Sequence, residues 1–422
     1  MTRHSTSHLL IAALSVTTAV MTIVAVRASD ARVTNIVQRA RALPVTMSAP
    51  LAELSQIVTS DAEILDLDVA FYQQRVNADR RGALDRVALA TTLSTRSRAT
   101  GSTSDMSRAE SLARESIAIS ERRNGRAFEL LASTLMSRHA FRDAHAVAAR
   151  IDSLEPNTPS HLALLGEIEL ELGAYDSAAA HFRAVRYDGR QFTVGARLAR
   201  WYEVSGRADI ARDLMKRSII GVDKRDDLPR EQAAWFHYRL GELELRTGRL
   251  NAAQDAFEHA LARNDGDIRA LGGLARVAVA RGEWREAIGY GELATGVQLD
   301  PTTLGTLAQA YAALGDTAQS TRYASAMSIS ALTQPGSIHR AWGLHLLDHG
   351  TAAERAEVLR RARDEIRERG DVYGHDLLAW ALFRAGQLNE AQREMRVAQS
   401  QRTEDMQLTA HARAIDSAIA SR

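Results

Sequence analysis

The apolar and polar positions of this 422-residue chain follow the spacing of amphipathic helices from about residue 61 to residue 420. The unit is clearest in residues 234–267, AWFHYRLGELELRTGRLNAAQDAFEHALARNDGD, where two helical stretches flank a Thr-Gly-Arg break. No stretch predicts a convincing strand. Composition agrees, because alanine, leucine, arginine and glutamate dominate and only 7 residues are proline. The pattern therefore predicts an all-α protein.

Glycines recur at a nearly constant interval between the predicted helices, where their tolerance of the left-handed conformation can end a helix. The spacings are 33, 42, 34, 33, 35 and 36 residues along Gly173, Gly206, Gly248, Gly282, Gly315, Gly350 and Gly386. A small residue follows five positions after each of them except Gly350, at Ala178, Ala211, Ala253, Ala287, Ser320 and Ala391. A small side chain lets two helix backbones approach, so we predict helix hairpins of about 34 residues that stack to bury their apolar faces.

These recurring positions resemble the tetratricopeptide repeat, whose consensus places Trp, Leu-Gly and Tyr on the first helix and Ala and Phe on the second. Residues 234–267 match best, at Leu240-Gly241, Gly248, Ala253, Phe257 and Ala260, and residues 159–191 match at Leu165-Gly166, Gly173, Ala178 and Phe182. In residues 125–158, His139 stands in place of the glycine. The resemblance implies a right-handed α-solenoid of about 8–9 helix hairpins, and a role in binding rather than catalysis.

The pattern divides the chain into segments. We expect a signal peptide or membrane anchor at 1–28, a linker with at most one short helix at 29–60, capping helices with a degenerate repeat at 61–124, and a C-terminal capping helix within 402–422. The repeats between them are 125–158, 159–191, 192–233, 234–267, 268–300, 301–335, 336–371 and 372–401. Within 61–124 we expect a helix pair at 82–98 and 106–120, separated by a Gly/Ser/Thr loop at 100–104. The 42-residue interval includes a charged, proline-containing stretch, GVDKRDDLPRE at 221–231, which predicts an exposed loop.

The N-terminus has the features of a targeting segment. Residues 9–26, LLIAALSVTTAVMTIVAV, carry no charge and would be about 27 Å long as a helix, close to the thickness of a bilayer core. One interpretation is a signal peptide cleaved after Ala28, and the other is an uncleaved membrane anchor. Both predict a body outside the cytoplasm, either periplasmic or secreted, or anchored in the inner membrane by residues 9–26 with the repeats outside.

Charge and cysteine content exclude several classes of function. The formal net charge is only +1, and the scattered arginines give no electrostatic case for nucleic-acid binding. Cysteine is absent, which excludes disulfides, thiolate metal sites and cysteine nucleophiles.

Catalytic motifs are not found either. There is no Gly-x-Ser-x-Gly elbow, phosphate-binding loop or His-Glu-x-x-His. Carboxylates are plentiful, but their places on the predicted helices and turns predict solvated surface. His345 and His349 lie four residues apart on one predicted helix, with His339 and Asp348 nearby, but no third ligand has a reliable spacing. We therefore expect no metal, no cofactor and no enzymatic activity.

The resemblance also implies where a partner would bind, because the first helix of each hairpin lines a concave surface in tetratricopeptide proteins. The candidates carried over are Arg126, Glu129, Glu167, Arg200, Glu203, Trp235, Tyr238, Glu242, Arg269, Arg276, Gln309, Arg340, Tyr373, Asp376 and Trp380. Arginine and aromatic side chains often dominate binding energy. The alternative is that the aromatic residues pack between repeats and are not exposed.

The leading hypothesis is a non-catalytic scaffold that binds a protein or peptide of unknown identity in its concave groove. Two alternatives stay open: an enzyme or accessory domain with an unrecognised groove site, and a structural, self-assembling tether.

Overall fold

The computed structural model describes residues 51–225, 227–333 and 338–421, with side chains described from residue 63 onward. Every regular element in these ranges is a helix. The helices are α1 (Leu51–Ala78), α2 (Ala83–Thr100), α3 (Thr103–Ile119), α4 (Gly125–Ser137), α5 (Phe141–Leu154), α6 (Pro159–Glu171), α7 (Tyr175–Ala184), α8 (Phe192–Val204), α9 (Ala208–Val222), α10 (Arg230–Arg246), α11 (Leu250–Arg263), α12 (Ile268–Arg281), α13 (Trp284–Val297), α14 (Pro301–Ala313), α15 (Thr317–Leu332), α16 (Arg340–His349), α17 (Ala352–Glu365), α18 (Val372–Arg384), α19 (Leu388–Ala398) and α20 (Met406–Ala420).

Consecutive helices from α2 to α19 pair as nine hairpins, hairpin 1 being α2–α3 and hairpin 9 being α18–α19. We call the first helix of a hairpin its A helix and the second its B helix. Six of the seven periodic glycines lie in the left-handed region between A and B helices, with φ from 68° to 81°. His139 takes the same conformation, with φ 59°, at the position where it replaces glycine.

Gly350 is the exception, and the prediction that it ends a helix in the left-handed conformation is wrong. Its φ of −75° and ψ of 171° are extended, because the next helix starts at once. Thr351 accepts a hydrogen bond from the Glu354 amide, and the Glu354 carboxylate accepts one from the Thr351 amide. This capping box fixes the start of the B helix in hairpin 8, as the turn at a left-handed glycine does in other hairpins.

Close helix crossings explain the other small residues. Ala178, Ala211, Ala253, Ala287 and Ala391 have no exposed surface. A Cβ on Gly241 would stand 2.5 Å from the Phe257 ring, and one on Gly166 would stand 2.8 Å from the Phe182 ring. The Leu-Gly and Phe positions of the repeat are therefore one packing contact, in which the phenylalanine of the B helix lies on the glycine of the A helix.

Two helix boundaries near the N-terminus differ from prediction. Helix α1 occupies Leu51–Ala78, so residues 51–60 are helical although the pattern predicts a linker there. The stretch LAELSQIVTS contains no proline or glycine that would interrupt a helix. Helices α2 and α3 are separated by Gly101 and Ser102 alone, a tighter turn than the expected loop.

The charged loop of the 42-residue interval occupies 223–229, between α9 and α10. The C-terminal capping helix α20 is capped by Asp405, which accepts a hydrogen bond from the Leu408 amide. The apolar segment 9–26 lies outside the described residues. Within them, no helix has both the length and the apolar character needed to cross a membrane.

The stack of hairpins curves until its C-terminal part meets its own middle. The A–B turns of hairpins 2–4, at 138–142, 172–175 and 204–208, contact the connections at 365–372 and 399–406. Val372 N donates to Tyr175 Oη at 2.7 Å, and Thr403 Oγ1 donates to Val204 O at 2.5 Å. Arg142 pairs with Glu368 at 3.2 Å. We call this set of contacts the closure interface.

Glycine has a second role at this interface. Gly173 meets the backbone of Gly370 so closely that a Cβ on Gly173 would stand 2.6 Å from the Gly370 carbonyl carbon. Gly206 meets the backbone of Arg402 in the same way. These two turns need glycine both for their dihedral angles and for this approach.

Candidate partner-binding face

Arginines and carboxylates on neighbouring A helices form a ladder of ion pairs along the concave side. Each pair joins one hairpin to the next and spans about one repeat. The pairs are Glu167–Arg197 at 2.9 Å, Glu171–Arg200 at 3.2 Å, Glu203–Arg239 at 3.4 Å, Glu242–Arg276, and Arg340–Asp376 at 2.8 Å. The ladder fixes the guanidinium groups in place and ties adjacent hairpins together.

Residues from hairpins 4, 8 and 9 meet at the centre of the curve. The Tyr373 ring lies between two guanidinium groups, with Arg200 5.2 Å and Arg340 5.1 Å from the ring centroid. Asp376 is fully buried, accepts from Arg340, and lies 2.8 Å from Nδ1 of His411 on α20. Because Arg200 and Tyr373 lie on hairpins 4 and 9, far apart in the sequence, the junction depends on closure of the stack.

The buried carboxylates at this junction remain ionised. Burial opposes the charge on Glu203, but Arg246, Arg200 and Arg239 together lower its pKa to about 2. Burial likewise opposes the charge on Asp376, and the opposing effects of Arg340 and His411 hold its pKa below the ordinary value. The sequence alone suggested that carboxylates lie on solvated surface. That interpretation is wrong for these two, because arginines from neighbouring hairpins replace water.

The predicted groove residues therefore fall into different environments. Glu203, Tyr373, Asp376 and Trp380 are buried, whereas Arg126 and Gln309 are exposed and Glu129 is partly exposed. Trp380 donates from Nε1 to Asp348 at 2.8 Å and stacks on His411 at 4.2 Å. Tyr373 and Trp380 thus follow the packing alternative, in which consensus aromatics stabilise the stack.

A second group of predicted residues remains accessible on α10 and α12. Trp235 and Tyr238 are partly exposed on α10. The Arg269 guanidinium lies 5.5 Å from the Tyr238 ring centroid, and the Arg269 side chain is 26% exposed. The Arg276 side chain is 29% exposed beside Glu242. Burial, followed by Glu242, raises the pKa of Tyr238 to about 12, so its phenol stays protonated near neutral pH.

Several charged residues of the ion-pair network were not among the residues predicted from the sequence. They include Glu171, Arg239, Arg246, Arg369 and Asp405. Charges of opposite sign recur about one repeat apart, as Glu203–Arg239 and Glu242–Arg276 do, and this spacing was a usable signal. The Arg369–Glu171 pair at 3.3 Å crosses the closure interface and has no such signal.

The histidine pair does not gain a third ligand. The rings of His345 and His349 lie 4.8 Å apart between centroids. Asp348 instead accepts from Trp380 and pairs with Arg384 at 3.4 Å. No group of three or more His, Asp or Glu side chains in the described part of the chain is placed to hold a metal ion.

A cavity of about 860 Å³ lies beside the closure interface, between the turn at 138–142 and α17. Its charged side chains are of both signs. Arg138 pairs with Glu110, and Arg361 pairs with Glu357 at 2.7 Å. His139 and Glu365, which pair at 3.3 Å, also line the cavity.

Nine stacked helix hairpins with a charged concave side define an α-helical repeat protein. Residues 236–267 match the family described as tetratricopeptide repeat. Hairpin 5 of this chain therefore carries a tetratricopeptide repeat, and the other hairpins repeat its helix–turn–helix arrangement. Comparison with curated proteins found no match.

Several solved structures are similar to this chain. One is the Cut9–Hcn1 hetero-tetramer of the APC/C, with 13% identity, a TM-score of 0.49, and coverage of 82% of this chain and 57% of that chain. Another is Pseudomonas aeruginosa PilF, with 17% identity, a TM-score of 0.39, and coverage of 55% and 94%. A third is the human IFIT1 dimer with m7Gppp-AAAA, with 14% identity, a TM-score of 0.47, and coverage of 79% and 76%. This chain thus spans little more than half the length of the first of these three chains. The three similarities carry no inference about function.

Proposed function

We propose that this protein is a non-catalytic scaffold that binds a polypeptide on the accessible part of its concave side. The observation that carries the proposal is the partly exposed set Trp235, Tyr238, Arg269 and Arg276 on two adjacent A helices. Aromatic and arginine side chains in one accessible cluster are typical of binding hot spots. Arg246 connects the set to the junction, because it pairs with Glu203 at 2.5 Å and with Glu242, the partner of Arg276, at 3.5 Å.

The contacts within this set favour binding because they fix its geometry in advance. Arg269 is paired with Asp267 at 2.6 Å and Glu231 at 2.9 Å, and Arg276 is held by Glu242. A partner would meet arginines and a tyrosine already in place, so little side-chain freedom would be lost on binding. The partner class that fits is a polypeptide with apolar side chains for Trp235 and Tyr238, and acceptor groups for the guanidinium edges.

The proposed compartment is outside the cytoplasm, supported by the uncharged run at 9–26. Fusion of the full chain to a reporter that is active only after export would test it. We expect activity with the intact N-terminus and none when residues 1–28 are deleted. Equal activity in both forms would contradict the proposal.

The binding site can be tested with matched variants of the full chain. The double variant Trp235→Ala/Tyr238→Ala should lose partners that the native protein retains from envelope extracts. Trp284→Ala is the control, since Trp284 is also a partly exposed tryptophan but begins a B helix. Each retained protein would then be purified and titrated against all three forms by calorimetry.

We expect about tenfold or greater loss of affinity in the double variant and little change in the control. Equal affinity for all three forms would contradict the proposed site. Circular dichroism melting curves would show that each variant remains folded.

A further inference from the structure

A second surface, away from the concave side, has a strong local charge. Residues 183–230 contain twelve basic and seven acidic residues, whereas the whole chain has a net charge of only +1. Both lysines of the chain, Lys216 and Lys224, lie in this stretch. Seven of its basic side chains are exposed and make no ion pair or side-chain hydrogen bond with any described residue: Arg183, Arg186, Arg190, Lys216, Arg217, Lys224 and Arg230.

The fold brings these residues to one edge. In an antiparallel hairpin the start of the A helix lies beside the end of the B helix, so the connections on either side of hairpin 4 are neighbours. Tyr187 Oη and Ser218 Oγ both lie against the Cα of Gly195, and Phe192 lies against Gly221. The loop at 185–191 therefore runs along the last two turns of α9, and we call this region the basic edge.

A cavity of about 290 Å³ opens at the basic edge, where the 223–229 loop meets the end of α11. Two of its arginines are already paired, Arg225 with Asp227 at 2.6 Å and Arg263 with Asp223 at 2.7 Å. Two groups are not. Arg230 has no partner among the described residues, and Oδ1 of Asp265, a residue only 8% exposed, accepts no hydrogen bond from them.

The position of Arg230 is not explained by helix stability. It is the first residue of α10, where the positive end of the helix dipole disfavours a cation. The buried, unpaired oxygen of Asp265 also costs stability in the free protein. A cation and a carboxylate oxygen that line one cavity without meeting each other are complementary to a ligand that has both a negative group and an N–H donor.

We propose that the basic edge binds an acidic polypeptide segment. Its side-chain carboxylates would pair with Arg230 and with the cations around the cavity, and its backbone N–H groups would donate to Asp265. A phosphate group satisfies the arginines but has no N–H donor for Asp265, whereas an acidic peptide has a backbone N–H at each residue, next to its carboxylates. The chemistry of the cavity therefore favours a peptide over a nucleic acid or an anionic membrane. This surface is separate from the proposed concave site and does not depend on it.

Fluorescence anisotropy with the full chain can test the proposal. The probe is a labelled hexapeptide of Asp and Glu, and the comparison probes are its Asn/Gln counterpart, a single-stranded DNA oligonucleotide and vesicles rich in phosphatidylserine. We expect saturable binding of the acidic peptide that weakens with salt, and much weaker binding of the neutral peptide.

Variants separate recognition from simple attraction. Arg230→Glu should weaken peptide binding by about tenfold or more, and should not harm folding because an acid suits the start of α10. Arg322→Glu makes the same change of charge at an exposed arginine on α15, and should alter affinity by less than about twofold. Trp235→Ala/Tyr238→Ala should leave peptide affinity unchanged, so failure of either site is recognised separately.

The direction in which Asp265→Asn changes peptide affinity distinguishes the proposed contact from general charge attraction. The substitution removes a negative charge from the cavity. If the basic edge attracted polyanions by charge alone, this variant would bind the peptide more tightly than the native protein does. The proposed contact instead predicts about tenfold weaker binding, because the charged acceptor is lost. Absence of peptide binding, tighter binding by Asp265→Asn, or DNA or vesicle binding at least as tight as peptide binding would each overturn the proposal.

Discussion

The closure interface can be tested at Gly173 with an unusually well matched control. Gly173→Ala and Gly386→Ala each place a Cβ on a residue between an A and a B helix, with φ of 73° and 74° respectively. Both should cost about 1 kcal/mol from the left-handed conformation alone. Only Gly173 faces another part of the chain, since nothing lies within 4 Å of a Cβ on Gly386.

The extra cost at Gly173 follows from the contacts that must move. A Cβ there would stand 2.6 Å from the Gly370 carbonyl carbon, so the two backbones must separate by about 1 Å to restore ordinary packing. That movement would break the 2.7 Å hydrogen bond from Val372 N to Tyr175 Oη and weaken the Arg369–Glu171 pair. We expect an added loss of about 2–3 kcal/mol at the interface.

Amide hydrogen exchange at Val372 measures this loss directly. Its N–H is bonded across the interface, so its protection reports closure. We expect exchange to be about 30- to 150-fold faster in Gly173→Ala than in Gly386→Ala. Equal protection of Val372 in the two variants would refute the assignment of Gly173 to an interface.

Three other outcomes follow from the ionic junction and the histidine pair. Tyr373→Phe should leave the melting temperature unchanged or raise it, because the buried Tyr373 hydroxyl has no hydrogen-bond partner in the part of the chain that the structure describes. Tyr373→Ala should lower the free energy of unfolding in urea by about 3–5 kcal/mol. The pKa of Glu203 is lowered to about 2 in the folded chain from an ordinary 4.5, so the unfolded chain binds more protons between these values. About 3 kcal/mol of stability present above pH 4.5 should therefore be lost as the pH falls towards 2, and Glu203→Gln should show a smaller loss in the same titration. Zinc should leave the melting temperature unchanged relative to EDTA, because His345 and His349 have no third ligand among the described residues; a rise that is absent in His345→Ala would contradict this.

Local rules were sufficient to predict the hairpins. Gly315 and Gly386 act through their own dihedral angles, with nothing within 4 Å of an added Cβ, and Phe257 packs on Gly241 of its own hairpin and Gly273 of the next. Such short-range contacts recur with the repeat, so the spacing in the sequence carries the information. The departure at Gly350 was also visible in the sequence, since Arg355 stands five positions after it, where the six other periodic glycines are followed by a small residue. What the spacing did not reveal was the capping box of Thr351 and Glu354 that replaces the glycine turn.

The closure interface could not be predicted, because it depends on how small rotations between hairpins add up along the stack. Tyr373 illustrates the consequence. Its place on an A helix predicted a groove position, which the fold then fills with Arg200 and Arg340 from other hairpins. Trp235 occupies the equivalent position on α10 and stays partly exposed, so the same consensus position has two environments.

The closed arrangement is tested most directly by one distance. The chain has no cysteine, so Asp209→Cys and Gln407→Cys, both at exposed positions, would give two unique spin-label sites. Ala208 N donates to Glu404 at 3.2 Å across the interface, and pulsed electron resonance should therefore give a narrow distribution at about 15–25 Å. A broad distribution centred beyond about 40 Å, as expected for five hairpins of helices stacked about 9 Å apart in an open array, would contradict closure.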